Sequence, residues 1–149
     1  MAVLRDDPYP SHSFLVQIPG VVEGEGLTAG FSEVSGLGAD VDVIEYRTGN
    51  EKQRTPRKLP GLVRYPNLVL KRGVTGNLGL WQWFQEGVSG NPLRADGTIH
   101  LMNEERETVL VWNFRRGWPC RYRGPGLEAD GSSVAIETLE ICHEGLTIE

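Results

Sequence analysis

The chain has 149 residues and a mass of 16.5 kDa, with 39% hydrophobic and 23% charged residues, which suits one domain with a sizeable core. It contains neither an apolar run of the ~20 residues that a membrane-spanning helix needs nor the apolar centre of a secretory signal, so we expect neither a membrane span nor a signal peptide. The net charge of −5 is uneven, because six basic residues and no acid lie from Arg54 to Arg72, whereas six acids and no Lys or Arg lie from Gly124 to Glu149. Such asymmetry is typical of a nucleic-acid site, a solvated face or two patches that meet on self-association.

The first third of the chain predicts strands separated by glycine-rich turns. HSFLVQI, residues 12–18, alternates as a strand should and is followed by Pro19 and Gly20. VVEGEGLTAG, residues 21–30, is predicted to be a glycine-rich loop. Residues 30–49 are predicted to be a long strand region that a bulge or bend interrupts near Gly36 and Gly38.

The next stretch changes character. NEKQRTPRKLPG, residues 50–61, is polar, contains two prolines and follows neither the helical nor the strand period, so we predict a protruding loop at about residues 48–62. LVRYPNLVLKRG then predicts a strand with Leu68 and Leu70 on one face and Pro66 at its start or at a bulge.

One segment predicts a helix. In NLGLWQWFQEGVSG, residues 77–90, Asn77 is suited to cap the amino terminus. The four apolar residues at helical spacing, taken as the face toward the core, are Leu80, Trp81, Phe84 and Val88.

The remaining third of the chain predicts strands again. TIHLMN and TVLVWNFRRG, joined by the charged EERE, predict a hairpin, and WPCRYRGPGL predicts a further short strand. In the last twenty residues the apolar positions shift from even (Val134, Ile136) to odd (Leu139, Ile141), which predicts a bulge or a strand covered on both faces. With no internal repeat and no linker, we expect a single domain over residues 1–149.

The triplet Cys142, His143 and Glu144 has the composition of an active site. Neighbouring residues of a strand point to opposite faces, so Cys142 and His143 are predicted not to meet, as a thiol and its base must. The two cysteines and three histidines fit no metal-ligand spacing, and the glycines form no nucleotide-binding motif. We therefore predict no catalytic, cofactor or metal site. Nucleic-acid binding is disfavoured because the whole chain is acidic and its basic stretch, residues 54–72, contains a single aromatic residue, Tyr65.

Five stretches lie in order from about Phe14 to Leu146 and cover nearly the whole chain. They are GFSEVSGL, EYRTGNE, RKLPGLVRYPNLVLKRG, LWQWF and WNFRRGWPCRYRGPGLEADGSSVAIETLEICHEGL. In this order and spacing they resemble the tail tube (inner tube) protein family of contractile phage tails and phage-derived contractile injection systems.

The resemblance implies a mainly β fold, a small antiparallel β-barrel or sandwich with one flanking α-helix, related to the hemolysin-coregulated tube protein of type VI secretion. It implies homo-hexameric rings that stack into a tube inside a contractile sheath, with the sheath protein, baseplate proteins and a tube terminator as partners and DNA or protein effectors as cargo in the lumen. It also implies no enzymatic activity and no cofactor, with assembly in the cytoplasm of the producing cell before the subunit becomes part of a particle.

The uneven charge then predicts contacts between subunits, with the basic region 50–72 meeting acidic surface of a neighbour. The candidate contacts within or between rings are Arg54, Arg57, Lys58, Leu59, Arg64, Lys71, Arg72, Glu140, His143 and Glu144. Six chains of charge −5 would carry −30, and inward-facing acids would repel a polyanion such as DNA. The candidates for the lumen are Asp40, Asp42, Glu104, Glu105 and Glu107.

Alternatives remain open at this point. A baseplate-proximal tube initiator or adaptor is a paralogue with the same motifs, and a small hydrolase would use His143 with Cys142 or Glu144. A phage tail, a tailocin and an injection system all remain as contexts for the same tube protein.

Overall fold

The computed structural model describes residues 2–21 and 27–149. Within these ranges it contains ten strands and one helix. They are β1 (Phe14–Ile18), β2 (Leu27–Ala29), β3 (Glu33–Ser35), β4 (Asp40–Tyr46), β5 (Arg57–Arg64), β6 (Leu68–Gly73), α1 (Gly79–Val88), β7 (Ala95–Met102), β8 (Thr108–Arg123), β9 (Ile136–Cys142) and β10 (Gly145–Ile148).

The main sheet is antiparallel and runs β2-β1-β7-β8-β9-β6-β3, with β10 also paired to β8. Strands β4 and β5 form a separate two-stranded sheet. Among the described strands, β2 and β3 end the main path without pairing to each other, so the sheet does not close into a barrel within one chain. The mainly β fold with one helix is as predicted.

Strand β8 connects the two halves of the main sheet. Its first part pairs with β7 and its last part with β9, and the register shifts where Arg116 adopts a positive φ of 52°. The backbone N–H of Arg116 donates to the Asp96 carboxylate over 2.9 Å, which satisfies a group that the bulge takes out of the ladder. The predicted separate strand in WPCRYRGPGL is therefore the second part of one bent 16-residue strand.

The core lies where the two halves of the sheet and α1 meet. Its fully buried side chains come from five strands and the helix: Val16, Ile18, Leu68, Leu70, Ile99, Phe114, Leu139 and Ile141 of the strands, and Leu80 and Trp83 of α1. Gly97 makes room for the Phe114 ring, because a Cβ at residue 97 would overlap it. The predicted alternation of residues 12–18 and the predicted shared face of Leu68 and Leu70 are confirmed, since Val16, Ile18, Leu68 and Leu70 all point inward.

Helix α1 begins close to its predicted cap but turns a different face inward. The backbone N–H of Gly79 donates to Oδ1 of Asn77 over 2.9 Å. Leu80 and Trp83 are buried and Phe84 is half-buried, whereas Trp81 is 38% and Val88 71% exposed, so the predicted core stripe is wrong at Trp81 and Val88. Trp83 is fixed by a 2.7 Å hydrogen bond from Nε1 to the carbonyl of Leu93. No helix in the described ranges is long and apolar enough to cross a bilayer.

The apolar phase shift near the carboxyl terminus has a simple cause. Glu137, Leu139 and Ile141 of β9 all face inward, and Ile136 is half-buried. Val134 lies before the strand and is exposed. The odd positions are thus inward throughout β9, and the shift arises because a charged residue, Glu137, occupies a core position.

Two predicted loops need correction. Residues 57–62 of the predicted loop 48–62 belong to β5, because Pro60 lies at a register shift of the β4–β5 pair and does not interrupt pairing there. Of the predicted loop 21–30, residues 27–29 form β2, and residues 22–26 lie outside the described residues.

Candidate functional site

Among the described strands, β4 and β5 pair only with each other, and together they form a two-stranded ribbon. The two strands are antiparallel, with Ile44 opposite Leu59 and Tyr46 opposite Arg57. The register shifts between Val41 and Val43, as expected of a β-bulge. We refer to residues 40–64 as the ribbon.

The ribbon exposes apolar side chains on both of its faces. The exposed set is Val41, Val43, Ile44, Tyr46, Leu59, Leu62 and Val63. Because residues alternate across a strand, Val43 and Ile44 point to opposite sides, so no single side of the ribbon is a polar outer face. A two-stranded ribbon is at most marginally stable alone in water, and a contiguous apolar patch of this kind is typical of an interaction site.

Charged residues surround these apolar positions. Arg64 pairs with Asp42 over 3.0 Å, and Arg57 lies 3.5 Å from Glu51, both with largely exposed guanidinium groups. Arg54 and Lys58 are exposed as well. The predicted contact residues Arg54, Arg57, Lys58, Leu59 and Arg64 therefore lie together on the ribbon and its connecting loop, available to a partner.

Lys71 and Arg72 differ although they are neighbours in β6. Lys71 is half-buried and lies 3.4 Å from the Glu33 carboxylate of β3. Arg72 is only 5% exposed, and its guanidinium pairs with Glu137 and donates to the carbonyl of Asn77 over 2.9 Å. Arg72 is thus unavailable to another subunit, and the prediction of a contact there is wrong.

The predicted contact residues of the carboxyl-terminal region are all engaged within the chain. The Glu140 carboxylate accepts a 2.8 Å hydrogen bond from Nδ2 of Asn67 and lies 3.5 Å from Arg121. Glu144 pairs with Arg116, which links the turn between β9 and β10 to the bulge of β8. Both carboxylates remain accessible enough to contact a neighbour, so their assignment stays a prediction.

The cysteine and histidine of the triplet make separate contacts. The Cys142 thiol faces the Trp118 carbonyl over 3.7 Å, and burial, with Cys120 nearby, raises its pKa to about 11. His143 lies in the turn after β9, with Nδ1 3.0 Å from the Gly145 carbonyl and Nε2 3.2 Å from the Pro66 carbonyl. A thiol held neutral and an imidazole whose nitrogens face carbonyl oxygens do not form a nucleophile and base.

The candidates for the lumen fall on two elements. Asp40 and Asp42 lie on the ribbon, whereas Glu104, Glu105 and Glu107 lie in the turn between β7 and β8. A hydrogen bond from Arg5 lowers the pKa of Glu104, so this carboxylate is ionised and paired. Glu105 and Glu107 are exposed, and their backbone N–H groups both donate to Oδ1 of Asn103 over 2.9 Å. Their orientation toward a lumen stays a prediction.

Sequence reasoning missed that the ribbon is apolar on both sides. The signal was present in β4, where Val41 and Val43 share one face and Ile44 and Tyr46 the other, because such a pattern indicates a strand covered on both faces. It was hidden in β5, where Pro60 and Gly61 interrupt the alternation of Leu59, Leu62 and Val63. The described residues contain no group of three or more potential metal ligands.

The chain resembles proteins of known family and structure. The profile of the T4-like virus tail tube protein gp19 matches residues 10–147. A chain in the sheath–tube complex of PVC, an extracellular contractile injection system, in the extended state is 26% identical with a TM-score of 0.83, over 95% of this chain and 91% of that chain. A chain in the baseplate of the anti-feeding prophage is 27% identical with a TM-score of 0.86, over 97% of each chain.

More distant structures share the fold alone. Hcp1 from Flavobacterium johnsoniae is 15% identical with a TM-score of 0.58, over 91% of this chain and 93% of that chain. Among curated proteins, none matches the chain. The predicted tube-protein fold is therefore confirmed at two levels of similarity. The match over residues 10–147 also confirms the predicted family, whose members are structural components and not enzymes, so the chain belongs to the T4-like virus tail tube protein family.

Proposed function

We propose that the chain is the repeating subunit of the inner tube of a contractile injection particle. Six copies form a ring, rings stack into a hollow tube, and contraction of a surrounding sheath drives the tube through a target envelope. The similarity to chains of a sheath–tube complex and of a baseplate supports sheath and baseplate proteins as partners, together with a tube terminator. DNA or protein effectors are the cargo in the lumen, and assembly takes place in the cytoplasm of the producing cell.

The unpartnered ribbon is the observation that carries this proposal. Seven exposed apolar side chains on both of its faces cost free energy in water at about 25 cal/mol per Å² of apolar area. A neighbouring copy on each side would remove both faces from water at once, which a ring supplies and a monomer does not.

The open ends of the main sheet support the same arrangement. Within the described residues, β2 and β3 each have a partner strand on one side. Unpaired strand edges invite pairing with another chain, and a closed ring in which each edge pairs with the next subunit removes them.

Charge supports contact between copies as well. Arg54 and Lys58 are exposed near the ribbon end, while the acidic region 124–149 offers Glu128 and Asp130 in an exposed segment. Single exposed ion pairs contribute only about 0–1 kcal/mol, so the effect depends on repetition around each ring. Of the acids that we propose for the lumen, Asp40, Glu105 and Glu107 are exposed and have no Arg or Lys partner among the described residues.

Electron microscopy of two matched variants tests the proposal. Leu62 on the ribbon is 75% exposed and Leu127 outside it is 83% exposed, so lysine replaces a similarly solvated leucine in each. We expect Leu62→Lys to abolish rings and tubes, while Leu127→Lys assembles as the wild type does. A wild-type chain that stays monomeric with baseplate and sheath components present, or a Leu62→Lys variant that forms normal tubes, would contradict the proposal.

The similarity to a baseplate chain also favours a second candidate, a tube initiator or adaptor next to the baseplate. The two differ in copy number, because an initiator forms one ring per particle whereas the tube forms as many rings as there are sheath rings. Quantitative mass spectrometry of purified particles, with the sheath protein as the internal reference, separates them. A ratio near one copy per sheath subunit supports the tube subunit.

A further inference from the structure

The two cysteines of the chain lie side by side in the folded protein. Cys142 ends β9 opposite Trp118 of β8, and Cys120 lies two residues beyond Trp118, where the register of the pair shifts. Pro119 and Ile141 point into the core, so Cys120 and Cys142 both lie on the opposite, outward face of the sheet.

Each thiol reaches toward the other strand. The sulfur of Cys120 lies 3.4 Å from the Glu140 carbonyl of β9, and the sulfur of Cys142 lies 3.7 Å from the Trp118 carbonyl of β8. The Asn67 side-chain amide also donates to the Cys120 sulfur over 3.6 Å. Both sulfurs therefore lie on the outward face of the β8–β9 pair, each beside the backbone of the opposite strand.

Neither metal binding nor covalent catalysis accounts for this pair. The described residues offer no third ligand among histidine, cysteine, aspartate and glutamate to complete a metal site. The nearest imidazole, that of His143, is turned to the carbonyls of Gly145 and Pro66. Chemistry between the two sulfurs themselves is what the geometry allows.

We propose that Cys120 and Cys142 form a redox-active dithiol, which a small-molecule disulfide such as oxidised glutathione converts into an intrachain disulfide bond between β8 and β9. The exposed Cys120 reacts first, since its thiolate attacks one sulfur of glutathione disulfide and the first glutathione leaves as a thiolate. The Cys142 thiolate then attacks the Cys120 sulfur of the mixed disulfide, and the second glutathione leaves. Two protein thiols lose their hydrogens, and one glutathione disulfide is reduced to two glutathione molecules.

The environment of the sulfurs sets the rate of this reaction. Burial raises the pKa of both thiols, that of Cys142 to about 11, so little thiolate is present at neutral pH. The dithiol is therefore slow to oxidise at neutral pH and reacts faster as the pH rises. In a reducing compartment the pair stays reduced, and in an oxidising medium it closes and cross-links the two strands that enclose residues 121–141.

The experiment uses the purified full-length chain in glutathione buffers of increasing oxidised fraction at pH 8, with free thiols then trapped by alkylation. We expect both thiols to disappear together, a mass loss of two hydrogen atoms, and a linked Cys120–Cys142 peptide in a non-reducing digest. We also expect the oxidised chain to unfold at a higher temperature than the reduced chain, because the cross-link restricts the unfolded state.

Two variants test whether the disulfide forms because Cys120 and Cys142 are neighbours or only because each thiol is reactive. Cys142→Ser should stop at a glutathione adduct on Cys120. Combining Cys142→Ser with Thr138→Cys keeps two cysteines on the same strands but moves one opposite Arg123, so this variant should give adducts without an intrachain bond. The proposal is overturned if the wild type yields only glutathione adducts, only disulfides between chains, or two free thiols after refolding in the oxidised buffer. The inference does not depend on assembly into a tube.

Discussion

At the scale of single residues, the buried ion pair between Arg72 and Glu137 contributes more to holding the fold together than the exposed ion pairs do. Arg72 of β6 pairs with Glu137 of β9, and the same carboxylate accepts a 2.6 Å hydrogen bond from the Tyr122 hydroxyl of β8. The guanidinium also donates to the Asn77 carbonyl just before α1. One ion pair thus ties three strands and the start of the helix together, which is why β9 has an acid at a core position.

Replacing Glu137 by glutamine should cost about 3–5 kcal/mol of unfolding free energy, because it leaves the Arg72 charge buried without its counter-ion. Glu33→Gln is the matched control, since it breaks the exposed Glu33–Lys71 pair one residue away on β6 and should cost only about 0–1 kcal/mol. Urea denaturation at neutral pH measures both. Equal losses for the two variants would show that burial does not decide the strength of these pairs.

The same network predicts how stability changes in alkali. Burial and the bond to Glu137 raise the pKa of Tyr122 from 10 to about 12, since both disfavour the phenolate. The contribution of the neutral Tyr122 phenol to the free energy of unfolding is therefore fully present below pH 10 and is lost as the pH rises toward 12. Tyr122→Phe should remove this part of the pH dependence, which denaturation at several pH values checks. Ultraviolet titration should show one tyrosine, absent from the variant, that ionises near pH 12.

At the scale of elements, the helix shows what the sequence could predict and what it could not. Its position follows from local rules and is confirmed within two residues, and Asn77, predicted as the cap, precedes the N-cap residue Leu78 and accepts from the backbone N–H of Gly79. Its inward face was wrong because Trp81 and Trp83 are both apolar, and periodicity alone favours Trp81. Trp83 is inward because its ring hydrogen-bonds to the Leu93 carbonyl and packs in the core, whereas Trp81 contacts Tyr122 edge-on with 5.2 Å between ring centroids.

The two tryptophans make a direct test of that assignment. Trp83→Ala should cost about 3–5 kcal/mol, because it opens a cavity in the core and leaves the Leu93 carbonyl without its donor. Trp81→Ala removes a partly exposed ring and its edge-on contact with Tyr122 but no fully buried side chain, so it should cost less than Trp83→Ala. Thermal or urea unfolding measures the loss of stability in both variants. A larger loss for Trp81→Ala than for Trp83→Ala would mean that the helix turns Trp81 inward in solution.

The strands were easier to predict than the ribbon, for a physical reason. Val16 and Ile18 of β1, or Leu68 and Leu70 of β6, alternate because one face of each strand meets the core of the same chain. The ribbon has no such core, so its pattern reflects whatever covers it in the assembly. Local sequence rules therefore read residues 57–61 as a loop, and only the folded chain shows them as paired strand.

At the scale of the whole molecule, the core is well packed, whereas part of the surface exposes apolar groups that a partner could cover. The interior is packed and its buried charges Arg72 and Glu137 are paired. The ribbon, in contrast, leaves apolar groups in water and also exposes the basic residues Arg54, Arg57 and Lys58. Apolar contact supplies most of the free energy of association, while charge sets register and partner. The salt dependence of assembly should therefore come only from the contacts between charged residues and not from the apolar contacts.

Replacing Arg54, Arg57 and Lys58 by glutamate tests the contribution of these charges to assembly without changing the apolar contacts. Attraction between exposed charges is screened beyond about 8 Å at physiological ionic strength. Wild-type tubes should therefore shorten as salt rises, whereas the triple variant should form shorter tubes at low salt and respond little to added salt. Tube lengths in negative-stain images across a salt series measure both effects.

The control is a variant with the same change in net charge elsewhere, in which the exposed Arg94, Arg106 and Arg123 become glutamate. If this control shortens tubes as much as the ribbon variant does, overall repulsion among acidic subunits explains the effect and the basic stretch has no special contact. If instead the ribbon variant alone loses both length and salt response, the contact is local. Because the apolar faces remain intact in both variants, residual rings at high salt would then be held by the ribbon itself.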